Sequence, residues 1–108
     1  MEIKEIQVLI IEDNITDLEL LKWQLSNMKN IKGLITECGN LTDGLTKLDH
    51  EHYEIILLDL NLPDSRGLET IKSIRKTFPK IPVIVLTGDD TDLTENAALD
   101  LGVQEYLV

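Results

Sequence analysis

Cysteine, aromatic residues and positive charge are all scarce in this chain, and each shortage narrows what it can be. Cys38 is the only cysteine in 108 residues, which excludes an internal disulfide and a cysteine-ligated zinc site and fits a reducing compartment. Lysine and arginine number 10 against 20 acids, and the formal net charge of -10 sets the domain against direct nucleic-acid binding, because a phosphate backbone would be repelled. A divalent cation or a basic protein face would be attracted. No apolar run reaches membrane-spanning length, and Glu2, Lys4 and Glu5 break the N-terminus where a signal peptide would need its apolar region. No repeat, linker or low-complexity tract divides the chain. The expectation is one soluble cytoplasmic domain over 1–108, able to bury an ordinary core and too short for a second module.

What is present is an alternation of short apolar runs with amphipathic stretches. Ile6 to Ile11 (IQVLII) reads as a strand covered on both faces and ends in Glu12 and Asp13. Thr16 and Glu19 have capping-box spacing, Ile15 and Leu20 that of a hydrophobic staple, and Leu18, Leu21, Leu25 and Met28 share one helical face, with Lys29, Asn30 and Gly33 marking the end. Gly33 to Cys38 alternates with polar residues, as an edge strand does. Asn40 can cap a helix striped by Leu41, Leu45 and Leu48, and the connection holding His50 and His52 leads to a strand over Tyr53 to Leu58. That H-x-H pair has no third ligand nearby and reads as a solvated loop.

The stretch Ile55 to Gly67, IILLDLNLPDSRG, organises the rest. Branched apolar residues run into Asp59, and a turn with Pro63 follows. Leu68, Ile71, Ile74 and Phe78 then mark a helix closed by Pro79, Pro82 opens a strand VIVL that ends at Thr87, and a helix from Thr91 or Asp92 stops at Gly102 before a last strand over Val103 to Val108. Strands alternating with helices predict an α/β, doubly wound, five-stranded parallel sheet with right-handed crossovers.

Asp59 alone could be a strand-ending residue that caps its turn. In such sheets, however, ligands bind beyond the carboxyl ends of the strands, and Glu12, Asp13, Asp59 and Thr87 all fall at such ends. Three clustered carboxylates repel one another unless a cation compensates. Magnesium, which takes oxygen ligands and keeps positions for water and phosphate, would let anionic Asp59 approach a phosphoryl donor and become an aspartyl phosphate. Thr87 could then offer its hydroxyl to a phosphoryl oxygen.

The acidic pair Glu12 and Asp13, the D-x-x-x-P-x-x-x-G run of Asp59, Pro63 and Gly67, Thr87 with Gly88, and the G-x-x-x-Y of Gly102 and Tyr106 together resemble the receiver domain of bacterial response regulators, the phosphoacceptor of two-component signalling. The resemblance implies a flavodoxin-like strand order 2-1-3-4-5. It implies a module that catalyses only its own phosphorylation and dephosphorylation, with Asp59 taking a phosphoryl group from a histidine kinase or phosphotransfer protein. Mg2+ would be held by Asp13, Asp59, the main-chain carbonyl of Asn61 and, through water, Glu12. Thr87 and Tyr106 would be the switch residues that remodel the surface of the fourth helix and fifth strand, to be read by an output domain or partner that the sequence leaves unidentified.

The family also has a lysine at the end of its fifth strand and then a final helix, and by alignment the lysine would follow Val108. The chain therefore reads as cut short, with an uncovered apolar face, for which a homodimer or an exchange of terminal elements is the expected response. Two other readings stand beside this one. A haloacid-dehalogenase-type phosphohydrolase would need an aspartate two residues after Asp59, where this chain has Asn61. A pseudo-receiver, a phosphorylation-independent interaction module, would keep the fold without the chemistry.

Overall fold

The computed structural model describes residues 2–86, 99 and 102 and the main chain of 105–107. In chain order its elements are β1 (Lys4–Ile11), α1 (Ile15–Ser26), β2 (Ile31–Cys38), α2 (Leu41–His50), β3 (Ile55–Asp59), β4 (Asn61–Leu62), β5 (Ser65–Arg66), α3 (Leu68–Thr77), β6 (Val83–Leu86) and β7 (Glu105–Leu107). Five strands form one sheet in the order β2-β1-β3-β6-β7, every pairing parallel, while β4 and β5 form a small antiparallel hairpin beside it. The flavodoxin-like order expected of the five main strands is therefore observed. Growth of the sheet reverses at β1, flanked by β2 on one side and β3 on the other, so a crevice opens beyond the carboxyl ends of β1 and β3.

Alternation along the strands sorts side chains onto two unequal faces. Leu9 and Ile11 of β1, Ile56 and Leu58 of β3, and Val83 and Val85 of β6 pack with Leu41 and Leu48 of α2 and Ile71 and Ile74 of α3. The opposite face buries Val8, Ile10 and Leu57, against which Leu18, Leu21 and Leu25 of α1 and Ile84 and Leu86 of β6 are only partly buried. No residue of α1 is fully buried. The main core thus lies between the sheet and the α2/α3 layer. Among the described residues, no helix is long and apolar enough to cross a membrane.

Several boundaries differ from those read in the sequence. α1 is capped by Asn14, whose side chain accepts the Asp17 N–H at 3.0 Å, so Thr16 lies inside the helix. The staple is not formed, since Ile15 and Leu20 are 75% and 53% exposed. The helix stops at Ser26, before Met28 and Lys29: the Ser26 hydroxyl and the Asn27 amide both donate to the Trp23 carbonyl, a local competition that ends helices. β1 and β2 each start two residues earlier than expected, because Lys4 pairs with Ile31 and Glu5 with Lys32, polar positions invisible to an apolar pattern. Tyr53 is buried ahead of β3, and its hydroxyl donates to Glu51 at 2.7 Å. His50 sits in the last turn of α2 with Nδ1 donating to the Thr46 carbonyl at 2.8 Å.

The helix expected over 91–101 lies outside the described residues except at Leu99, whose carbonyl accepts the Gly102 N–H at 3.0 Å. Gly102 has φ +84°, the left-handed stop expected of it.

The unequal faces have a measurable consequence. Ile71→Ala, fully buried under the sheet, should cost about 2–5 kcal/mol, whereas Leu25→Ala on the half-exposed face should cost about 1 kcal/mol, both read from urea denaturation midpoints.

Candidate functional site

The site is built where β1 and β3 end side by side. Ile11 is paired with Leu58, which brings the residues that follow each strand to the same edge. Glu12 donates its main-chain N–H to the Cys38 carbonyl at 2.9 Å, one step beyond the β1–β2 ladder, and its side chain turns back to accept the Asn14 N–H at 3.0 Å. Asp59, the last residue of β3, is held between β1 and β6, where it pairs with Leu86. One of its carboxylate oxygens accepts the Asn61 N–H at 3.2 Å.

Carboxylate oxygens of Glu12, Asp13 and Asp59 lie within 4.8 Å of one another. Glu12 is buried, Asp59 half-buried and Asp13 exposed, so the cluster is graded from core to solvent. Burial, aided by the neighbouring Asp59 carboxylate and opposed by the Asn14 N–H, raises the Glu12 pKa from 4.5 to about 7. Burial also raises Asp59, reinforced by the Asp13 charge and opposed by the Asn61 N–H and by a hydrogen bond from Glu12. Burial is the first cause of both shifts, and the hydrogen bond between the two side chains couples Glu12 to Asp59. Three hard oxygen donors carrying excess negative charge suit Mg2+, which accepts carboxylates and retains water.

The structure brings together four of the residues singled out in the sequence, Glu12, Asp13, Asp59 and Asn61. Thr87 lies outside the described residues; it directly follows Leu86, the strand partner of Asp59. Tyr106 is described in its main chain alone, in β7 opposite Val85.

The loop after Asp59 is more ordered than a turn. Asn61 pairs with Arg66 and Leu62 with Ser65, Gly67 donates its N–H to the Leu60 carbonyl at 2.8 Å, and Leu60 and Leu62 are 2% and 1% exposed. Gly67 itself adopts φ +63°, ψ -146°, a conformation open essentially to glycine alone, which is the physical reason a glycine closes the run that begins at Asp59. The sequence reading missed Asn14, which holds Glu12 and starts α1, and Asp64, whose carboxylate reaches the N-terminus of α2: Oδ1 accepts the Leu41 N–H at 2.8 Å, and Oδ2 accepts the Thr42 N–H at 2.9 Å and the Thr42 hydroxyl at 2.7 Å. Asn14 was recoverable from its spacing to Asp17. Nothing local announces a contact between residues 22 apart.

The proton on Glu12 sets a pH signature for the metal-free protein. A carboxyl whose folded pKa exceeds its unfolded value contributes most below the unfolded pKa, and its contribution is lost as pH rises from 4.5 through about 7. Glu12→Gln, which imitates the protonated form, should therefore exceed wild type in stability by on the order of 1–3 kcal/mol at pH 8 in chelator and match it at pH 4.5, as measured by denaturant melts.

Against known proteins, residues 8–108 match the response regulator receiver domain family. The CpxR homolog of Haemophilus influenzae, a transcriptional regulatory protein, is 34% identical over 94% of this chain and 42% of its own length. A phosphorylated cyanobacterial phytochrome response regulator, RcpA, superposes with a TM-score of 0.85 at 26% identity, covering 96% of this chain and 80% of that one. The Mn2+-bound response regulator Rcp1 superposes at 0.84 with 27% identity over 95% of this chain and 80% of that one. The chain spans less than half the length of the curated relatives it matches. An acidic cluster at the switch point of a sheet in this order, within a sequence matched almost end to end, leaves one assignment: the chain belongs to the response regulator receiver domain family of two-component systems.

Proposed function

We propose that Asp59 is the phosphoacceptor, receiving its phosphoryl group from a histidine kinase or phosphotransfer protein. The observation that carries this reading is the convergence of Glu12, Asp13 and Asp59 within 4.8 Å at the crevice where doubly wound sheets bind ligands. An Asp59 oxygen attacks the phosphorus of a phosphohistidine. The P–N bond breaks, its electron pair returns to the imidazole nitrogen, which takes up a proton, and an acyl phosphate remains on Asp59.

Mg2+ would be held by Asp13, Asp59 and the main-chain carbonyl of Asn61, with Glu12 acting through water; when bound it supplies positive charge against the crowded carboxylate and phosphoryl oxygens. The remaining work is done by the chain. The Asn61 N–H orients one Asp59 oxygen. Glu12, whose pKa burial raises to about 7, would have to be ionised to act toward the cation through water. A structural relative described as Mn2+-bound and another described as phosphorylated support carrying this chemistry to Asp59.

Phosphorylation adds charge at the ends of β3 and β6. Thr87, next to Leu86, and Tyr106 on β7 are proposed to report it by repacking the surface of β7 and the segment before it, biasing one of two pre-existing arrangements for an output domain or partner. The module acts in the cytoplasm and turns over no substrate other than its own phosphoryl group.

Intact mass after incubation with Mg2+ and a small-molecule phosphodonor tests the assignment. Wild type should gain one phosphoryl group, and Asp59→Asn or added chelator should abolish the gain. A wild-type chain that stays unmodified with both the phosphodonor and a cognate kinase would make it a pseudo-receiver. Because Glu12 must release its proton, Mg2+ affinity should rise with pH through about 7, seen as buffer-dependent heats in titration calorimetry.

A further inference from the structure

Building on the proposed phosphoacceptor role of Asp59, we infer that Asp64 is a positioning residue that ties the Asn61-bearing hairpin to the start of α2 and so holds the main-chain side of the cation site in place before any ion arrives. The hairpin has two residues in each strand, far below what stands alone in water. Its roots are fixed toward the core and α3 by the Leu60 and Leu62 side chains, by the Gly67 to Leu60 hydrogen bond, and by the hydroxyls of Ser65 and Thr70, 2.7 Å apart. Its exposed tip, Pro63 and Asp64, is fixed toward α2 by three hydrogen bonds to a single carboxylate. These bonds are charge-assisted and stronger than neutral ones, and they hold the Asp64 carboxyl below the usual carboxylate range, the Thr42 hydroxyl contributing most.

Asp64 is more than a remote helix cap, because α2 already has one. The Asn40 side chain accepts the Asp43 N–H at 2.8 Å, and the Asn40 carbonyl accepts the Gly44 N–H at 3.2 Å. Asp64 takes the two N–H groups that precede these, Leu41 and Thr42. Without Asp64, water can reach the exposed Thr42 N–H, while the part-buried Leu41 N–H loses its acceptor, and the helix keeps its Asn40 cap. The hairpin tip loses its link to α2, and Asn61 is two residues from that tip.

The two roles separate in a comparison of wild type, Asp64→Ala, Asp64→Asn and Asn40→Ala, with Mg2+ titrated by calorimetry and amide hydrogen exchange followed over residues 60–66 in chelator. Asp64→Ala should weaken Mg2+ binding by about tenfold, as loss of supporting groups around metal sites does, and should speed exchange in the hairpin before metal is added. Asp64→Asn, which keeps one acceptor oxygen, should fall between. Asn40→Ala should lower the melting temperature while leaving Mg2+ affinity and hairpin exchange as in wild type. Equal Mg2+ affinity in Asp64→Ala and wild type overturns the inference and leaves the phosphoacceptor reading standing. So does an Asn40→Ala variant that weakens Mg2+ as much as Asp64→Ala, which would reduce Asp64 to a helix cap. Failure of wild type to bind Mg2+ at all overturns both.

Discussion

Repulsion among Glu12, Asp13 and Asp59 is the constraint around which the rest of the structure is arranged. Their oxygens lie within 4.8 Å of one another with Glu12 buried, an arrangement that stores unfavourable charge unless a proton or a cation offsets it. Burial raises the Glu12 pKa to about 7, so near neutrality a proton can offset part of this repulsion. Crowded carboxylates that positive charge relieves make a site that responds to charge.

The sheet bears that cost because its core lies elsewhere. Leu58, one residue before Asp59, and Ile11, one before Glu12, are fully buried in the cluster beneath α2 and α3. Each carboxylate therefore emerges from the packed core, with Asp59 paired to Leu86 and the Glu12 N–H bonded to the Cys38 carbonyl. The α1 face is more lightly packed.

Between these rigid strands and the solvent, short polar contacts set the loops. Asn14 links Glu12 to the start of α1, accepting from Asp17 with its side chain while its N–H donates to Glu12. Asp64 links the hairpin to α2. Both are small polar side chains satisfying the free N–H groups of helix N-termini, and together they connect the acidic site to both helices that flank β2.

The sequence by itself determined the order of elements, the parallel sheet and the address of the chemistry. Apolar runs such as IQVLII and IILL can be buried on two faces only as inner strands, and a chain alternating strands with helices has one favourable way to wind, so Glu12, Asp13 and Asp59 had to fall at carboxyl ends. Asn40 and Gly102 were equally readable, because a helix cap and a left-handed stop depend on immediate neighbours. Element ends were less so: Lys4, Glu5 and Lys32 join the ladder through main-chain pairing that leaves no hydrophobic trace, and Asn14 rather than Thr16 begins α1 because the main chain turns two residues earlier. Only the tertiary structure decided that the three carboxylates meet, that burial raises the proton affinity of Glu12, and that Asp64 closes on α2. Proton affinity depends on solvent exclusion by the whole fold, and a contact across 22 residues exists only once β3 has been laid beside β1.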